Sequence, residues 1–346
     1  MIVIMESDST EQELNEILDL IHGEDFETHL SQGVEKTIVG LIGDSKGKEQ
    51  MQERLLSYDQ VEKVVPVMEP YKLTSWKFTP KKTVIEIDGV KIGAEKPVVM
   101  AGPCSVESEE QILHTARIVA DGGAEVLRGG AFKPRTSPYS FQGLGKKGLE
   151  LLALAREETG LKIITELMDT DHTEMVNKYT DIIQIGSRNM KNYALLKEVG
   201  KLNTPVMLKR GMASTVKDWL LAAEYIMSEG NQEVMLCERG IKTFCEETRY
   251  TMDLSAIPLV REKSHLPVIA DPSHGTGRWE LVAPMARAAI AAGADGLLVE
   301  VHPQPKQALS DGPQSLKPDR FSEMMKEINI MSHGLRDINK KPGLTG

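Results

Sequence analysis

Cysteine is scarce in this chain, with three residues among 346. Three thiols cannot pair completely, and their spacing matches no disulfide scaffold, so a reducing, cytoplasmic setting is expected. Long apolar runs are missing as well. No stretch approaches the roughly 18 residues of a membrane span, and the opening MIVIMESDST has no basic leader ahead of an apolar stretch. Neither membrane association nor a secretory signal is expected. Positive charge is in deficit, since 41 Lys and Arg against 51 Asp and Glu give a formal net charge of −10. A nucleic-acid partner would need a broad basic face, so none is expected. What remains is the composition of a globular protein with a real core, 40% hydrophobic and 27% charged. The length suggests two domains, although one barrel can use most of it alone.

Residues 1–68 read as strand, helix, strand, strand, helix, strand. After the apolar IVIM, Ser9 or Thr10 caps a helix whose Leu14, Ile17, Leu18 and Ile21 fall on one face. FETHLS and KTIVGLIG flank Gly33 as a hairpin, a second helix fits residues 47–57, and VEKVVPVM closes the set. That order is the ferredoxin-like βαββαβ arrangement, and it holds no cluster of catalytic residue types. Residues 69–96 are expected to be a linker with a short hairpin, TVIEIDGVKIG, and Lys72, Lys77, Lys81 and Lys82 to be solvated there.

From Pro97 the pattern changes. Short apolar runs begin at Val98, Val126, Ile163, Ile182, Val206, Val234, Val268 and Leu297, with helical periodicity between most of them. Eight buried strands alternating with helices predict a (β/α)₈ (TIM) barrel over residues 97–335, with 336–346 as a tail. A doubly wound sheet is the alternative. The residues following each run favour the barrel: Cys104, Arg128, Glu166, Arg188, Lys209, Glu238-Arg239, His274 and Glu300. A barrel gathers all eight strand ends on one face, whereas an open sheet spreads them along a line.

Two kinds of group meet there. Arg128, Lys133, Arg135, Arg188, Lys209 and Arg239 are cations that would repel one another unless they met anions, and arginine's fork suits phosphate and carboxylate. Six is more than one phosphate needs, so two anionic substrates, or one with several charges, are expected. Taken singly, each could be a surface ion pair. Cys104, His274, Glu300 and Asp311 offer a thiolate, an imidazole and two carboxylates, a set suited to one first-row divalent ion of the Mn, Fe, Co or Zn class. Cys104 could also be a small buried hydrophobe, and Asp311, in SDGP, a turn residue. Cys237 and Cys245 are expected to be structural.

The segments AGPCSVES, LRGGAFKPRTSPYSFQGLG, IGSRNM, LKRGM, ERGIKTF, DPSHGTGR and VEVHPQPKQALSDGPQSL together resemble the 3-deoxy-D-arabino-heptulosonate 7-phosphate (DAHP) synthases of the type Iβ group, over about residues 97–332. Residues 1–68 resemble the ferredoxin-like regulatory domain of one subset of that group. The resemblance implies condensation of phosphoenolpyruvate with erythrose 4-phosphate at the entry to aromatic amino-acid synthesis. It places Arg128, Lys133, Gly186, Ser187, Arg188, Lys209 and Arg239 around phosphoenolpyruvate, and Lys133, Pro134, Arg135 and Thr136 around erythrose 4-phosphate. Lys133 becomes the proton donor, and Glu166 orients a water or merely supports the site. It also implies a homotetramer and an aromatic amino-acid effector near His29 and Ser31, although a solvent-facing histidine reads equally well. The octulosonate 8-phosphate synthases, which use arabinose 5-phosphate, are the nearest alternative, but they typically read Lys-Ala-Asn-Arg where this chain has Lys133-Pro134-Arg135. A barrel degenerated into an amino-acid sensor would have lost catalytic groups, and none is missing.

Overall fold

The eight apolar runs from Val98 onward form eight parallel strands that close on themselves in the computed structural model. The structure describes residues 1–24, 26–32, 37–43, 47–65, 70–134, 137 and 139–339. They divide into two units, Met1–Pro70 and Tyr71–Gly346.

In the first unit, β1 (Ile2–Met5), α1 (Glu11–His22), β2 (Glu27–Gln32), β3 (Thr37–Ile42), α2 (Lys48–Leu55) and β4 (Val61–Val65) follow one another. The strands form one antiparallel sheet in the order β2-β3-β1-β4, the ferredoxin-like topology. Thr10 caps α1: its hydroxyl accepts the Glu13 N–H while the Glu13 carboxylate accepts the Thr10 N–H. Leu14, Ile17 and Ile21 then pack on Val3, Met5, Val39 and Leu41 from the sheet. Thr28 and Leu30 pair with Leu41 and Val39, so His29 and Ser31 point to the opposite face, where both are exposed. Gly33 and the turn around it lie outside the described residues, as do Val67 and Met68 of the expected last strand.

The second unit opens with a hairpin, β5 (Ile85–Ile87) and β6 (Val90–Ile92). The barrel follows as β7 (Val98–Gly102), β8 (Val126–Arg128), β9 (Lys162–Leu167), β10 (Ile182–Ile185), β11 (Val206–Lys209), β12 (Val234–Glu238), β13 (Val268–Ala270) and β14 (Gly296–Glu300). The helices between and after them are α3 (Glu109–Asp121), α4 (Lys146–Thr159), α5 (Thr173–Tyr179), α6 (Tyr193–Gly200), α7 (Val216–Ser228), α8 (Ala256–Lys263), α9 (Pro272–Thr276), α10 (Trp279–Ala291) and α11 (Pro318–Asn339). Among the described residues no helix is long and apolar enough to cross a membrane.

Alternation along each strand builds two cores. Val99, Leu127, Ile163, Ile183, Leu208, Leu236 and Leu297 face the helices, while Val98, Met100, Val126, Ile164, Ile182, Met207, Met235, Ile269 and Leu298 fill the barrel interior. Lys72, Lys77 and Lys81 are exposed, as expected, but the backbone of the stretch that carries them is docked on the barrel. The Leu73 and Thr74 amides donate to the Glu224 carboxylate, Trp76 Nε1 donates to the Arg261 carbonyl at 2.9 Å, and Lys82 pairs with Asp295. Ile85 and Ile92, both fully buried, join the interior cluster. The apolar floor of the barrel needs a cover, and this hairpin supplies it.

Candidate active site

The pleat that points Val126, Ile164, Ile182, Met207, Ile269 and Leu298 inward also points inward the residue two further on in each strand. Those residues are Arg128, Glu166, Gln184, Lys209, Asp271 and Glu300, so the interior turns from apolar to polar at the C-terminal end. Arg239 follows by the same parity from Met235 and Cys237. Loops add Lys133 and Pro134 after β8, Ser187 and Arg188 after β10, His274 on α9, and Asp311 after β14. With Gly186, these groups line a cavity of about 350 Å³, except Asp271 and Glu300, which sit beneath it. Glu238 has the opposite parity. It points out of the barrel, buried, and pairs with Arg210 at 2.8 Å, so it is not a site residue. Arg135 and Thr136 lie outside the described residues.

The cations are held in place by acceptors. Arg128 donates to Glu300 Oε1 at 2.6 Å and to the Pro103 carbonyl at 3.1 Å. Lys209 Nζ donates to Asp271 Oδ2 at 2.5 Å, and exposed Arg188 to the Pro134 carbonyl at 3.0 Å. Buried Lys133 donates to the Cys104 carbonyl at 2.9 Å. Burial alone would lower the Lys133 pKa, but the neighbouring Cys104, Glu166 and Glu300 outweigh it and hold the ammonium above the usual lysine range. Arg239 is the informative exception. It is buried, stacks on the Tyr250 ring with its guanidinium carbon 4.1 Å from the centroid, and its Nη1 has no hydrogen-bond partner among the described residues. A buried guanidinium N–H left unpaired in a cavity calls for an anion. Glu166 accepts from Gln184 at 3.2 Å and presses on Gly186, where a Cβ would sit 2.0 Å from its Oε1. Any side chain at 186 would displace that carboxylate.

Beside the cations is the donor cluster. One donor atom each from Cys104, Glu300 and Asp311 lies within 4.8 Å of the others. His274 Nε2 stands beside that group of three, 3.5 Å from Glu300 and 3.9 Å from Asp311. The Cys104 thiol donates to Asp311 Oδ2 at 3.2 Å. Burial and the Glu300 charge push that thiol up to about 11. Burial lowers the His274 pKa, which favours the neutral imidazole that a metal needs. Burial would raise Asp311, but His274 and Arg249 outweigh it and hold it at about 2. A thiol, a neutral imidazole and two carboxylates fit a divalent first-row ion.

Sequence reading missed Asp271, Gln184, Arg249, Tyr250 and Gln314. Arg249 donates to Asp311 at 3.2 Å and to Gln314 at 3.0 Å, and Gln314 donates to Glu300 at 2.7 Å. Strand parity would have found Asp271 and Gln184; nothing local marks Arg249 or Gln314. Cys237 is buried in the barrel interior, and Cys245 is exposed beside Glu247.

Residues 78–333 match the DAHP synthetase I family, and residues 1–69 match the DAHP synthase ferredoxin-like domain. A phospho-2-dehydro-3-deoxyheptonate aldolase of Thermotoga maritima is 48% identical over 97% of this chain and 98% of its own. A crystal structure of such an enzyme from that organism superposes with a TM-score of 0.93, at 48% identity, over 96% of this chain and 97% of that one. A 2-dehydro-3-deoxyphosphooctonate aldolase of Geobacter sulfurreducens is 32% identical over 71% of this chain and 97% of its own.

Proposed function

The chain belongs to the DAHP synthetase I family, and from that premise we propose how its residues condense phosphoenolpyruvate with D-erythrose 4-phosphate to give 3-deoxy-D-arabino-heptulosonate 7-phosphate and phosphate, the first step of the shikimate pathway. The observation that carries the reading is the convergence of Arg128, Lys133, Arg188, Lys209 and Arg239 on one cavity beside the Cys104–His274–Glu300–Asp311 cluster. Two substrates that are both anions need such a surplus of cations to approach each other.

Phosphoenolpyruvate takes the inner cations: Arg128, Lys133, Lys209 and Arg239, with Arg188 and the Gly186-Ser187 backbone at the rim. Arg239 Nη1 gains the partner it lacks. Pro134, Arg135 and Thr136 hold the phosphate of erythrose 4-phosphate, so Lys133 stands between the two substrates. Cys104, His274, Glu300 and Asp311 would hold a divalent ion, which would supply Lewis-acid polarisation of a carbonyl oxygen there. C3 of phosphoenolpyruvate attacks the aldehyde carbon, and Lys133 protonates the developing alkoxide. Water, oriented by Glu166, adds at C2. The resulting hemiketal phosphate expels phosphate by C–O cleavage.

Phosphate release assayed with phosphoenolpyruvate and each aldose phosphate tests the assignment. Erythrose 4-phosphate should support turnover, and arabinose 5-phosphate should not. Preference for the five-carbon sugar would move the chain to the octulosonate branch. Arg239→Ala should raise KM for phosphoenolpyruvate roughly 10- to 100-fold, the ~1.5–3 kcal/mol of a charge-assisted contact, and Arg135→Ala should do the same for erythrose 4-phosphate. Both mutants shifting one substrate would overturn the division of the cations.

The first unit is regulatory in this reading, and the enzyme is a cytoplasmic homotetramer. The domain is well patterned and carries no reactive constellation, and it matches a domain described by its place in this family. Tyrosine or phenylalanine bound near His29 and Ser31, on the exposed sheet face, must favour one arrangement of the enzyme over another. A coupling of about 1–3 kcal/mol gives about 5- to 150-fold inhibition. A protein beginning at Tyr71 should keep its activity and lose that response. If the intact enzyme ignores all three aromatic amino acids, the domain serves assembly or stability instead.

A further inference from the structure

Asp271 is fully buried and links the cationic half of the site to the donor cluster through Lys209 and His274. Its Oδ2 accepts two hydrogen bonds at once, from Lys209 Nζ at 2.5 Å and from His274 Nδ1 at 2.7 Å. Its Oδ1 accepts the His274 backbone N–H at 2.9 Å. A carboxylate facing an ammonium and an amide can only accept, so Nδ1 carries the imidazole proton and the lone pair lies on Nε2. That atom is turned toward Glu300 and Asp311, beyond good hydrogen-bond distance from either. One oxygen thus fixes the tautomer of an expected metal ligand and also neutralises a lysine that lines the substrate cavity.

We infer that Asp271 is a positioning residue that makes metal binding and phosphoenolpyruvate binding reinforce each other, because Lys209 and His274 share its Oδ2. The inference rests on reading the cavity as the phosphoenolpyruvate site. A cation on Nε2 makes the Nδ1–H a stronger donor, which draws the Asp271 charge toward His274 and leaves Lys209 with more uncompensated charge for an anion. An anion that draws Lys209 away leaves the carboxylate to His274 and makes the imidazole a stronger ligand. The two effects are one coupling seen from either side, and the factor must be the same in both directions.

Calorimetry on the full-length, metal-stripped protein tests this. Mn²⁺ is titrated with and without phosphoenolpyruvate, and phosphoenolpyruvate with and without Mn²⁺, for wild type and Asp271→Asn. In the wild type each ligand should tighten the other by the same factor, fivefold or more. Asp271→Asn should weaken Mn²⁺ about 10- to 100-fold and keep only the part of the coupling that direct attraction across the cavity supplies. A purely structural Asp271 would lower both affinities and leave the factor unchanged, and that result overturns the proposal. A factor of one in the wild type overturns it too, whether or not the variant folds. A wild type that binds Mn²⁺ but no phosphoenolpyruvate overturns the functional reading first, and this proposal with it.

Discussion

Lys133→Met should lower kcat by roughly 10²- to 10⁴-fold, the usual contribution of a positioned proton donor, with the fold intact by circular dichroism. Lys133 is a buried ammonium that lines the cavity, set between the two substrates in the proposed mechanism, and its pKa lies above the ordinary lysine value because Cys104, Glu166 and Glu300 outweigh burial. It is therefore charged throughout the neutral range, and in the proposed mechanism it serves as an acid, not a base. Lowering the pH through 6 should not switch it off. Lys133→Arg should not rescue the activity. The lysine stem lies over Gly130, where even a Cβ would approach its Cδ to 2.7 Å, so a planar guanidinium has little room. Turnover within tenfold of wild type in Lys133→Met would remove the residue from the proton-transfer role.

Exhaustive chelation should abolish turnover, and returning Mn²⁺ should restore it. Of the ligands that titrate away from their ordinary values, His274 is shifted by burial toward its neutral form and Asp311, at about 2, is already ionised. Cys104, at about 11, is the one that must surrender a proton. Apparent metal affinity should therefore rise about tenfold per pH unit from 6 to 8, with a proton released on binding that calorimetry in buffers of different ionisation enthalpy can count. Cys104→Ser keeps the buried volume nearly unchanged and should leave the barrel folded while weakening the metal. Full activity after chelation, or binding without proton release, would dismiss the thiolate from the ligand set.

The barrel was legible because its strands are parallel and covered on both sides, which leaves runs such as VLR, IIQI and VMLK apolar until the residue that faces the chemistry. The convergence of polar strand ends was legible for the same reason. Glu238 shows the limit: adjacency to the apolar run suggested a site residue, while counting in twos places it outside, against Arg210. Asp271 lies just past the apolar VIA in DPSHGTGR, and only its parity with Ile269 marks it as facing inward. Arg249 and Gln314 reach the donor cluster from loops whose course no local pattern encodes. The docked segment before Pro97 misled because its lysines look solvated, yet the deciding residues are Ile85 and Ile92, whose burial depends on a barrel floor formed by residues far along the chain. His29 and Ser31 are placed by register alone, on the face away from their own core.

That barrel floor bears on how such a chain is put together. The catalytic unit carries its own stopper, so severing it near residue 70 leaves its interior sealed, whereas severing it at Pro97 would remove Ile85 and Ile92 and uncover the apolar layer above them, a loss of about 3–6 kcal/mol from the isoleucines alone. The joint near residue 70 is thus a graft point. A chain begun there keeps its barrel floor covered by its own residues, so the seal of the interior does not depend on what precedes it.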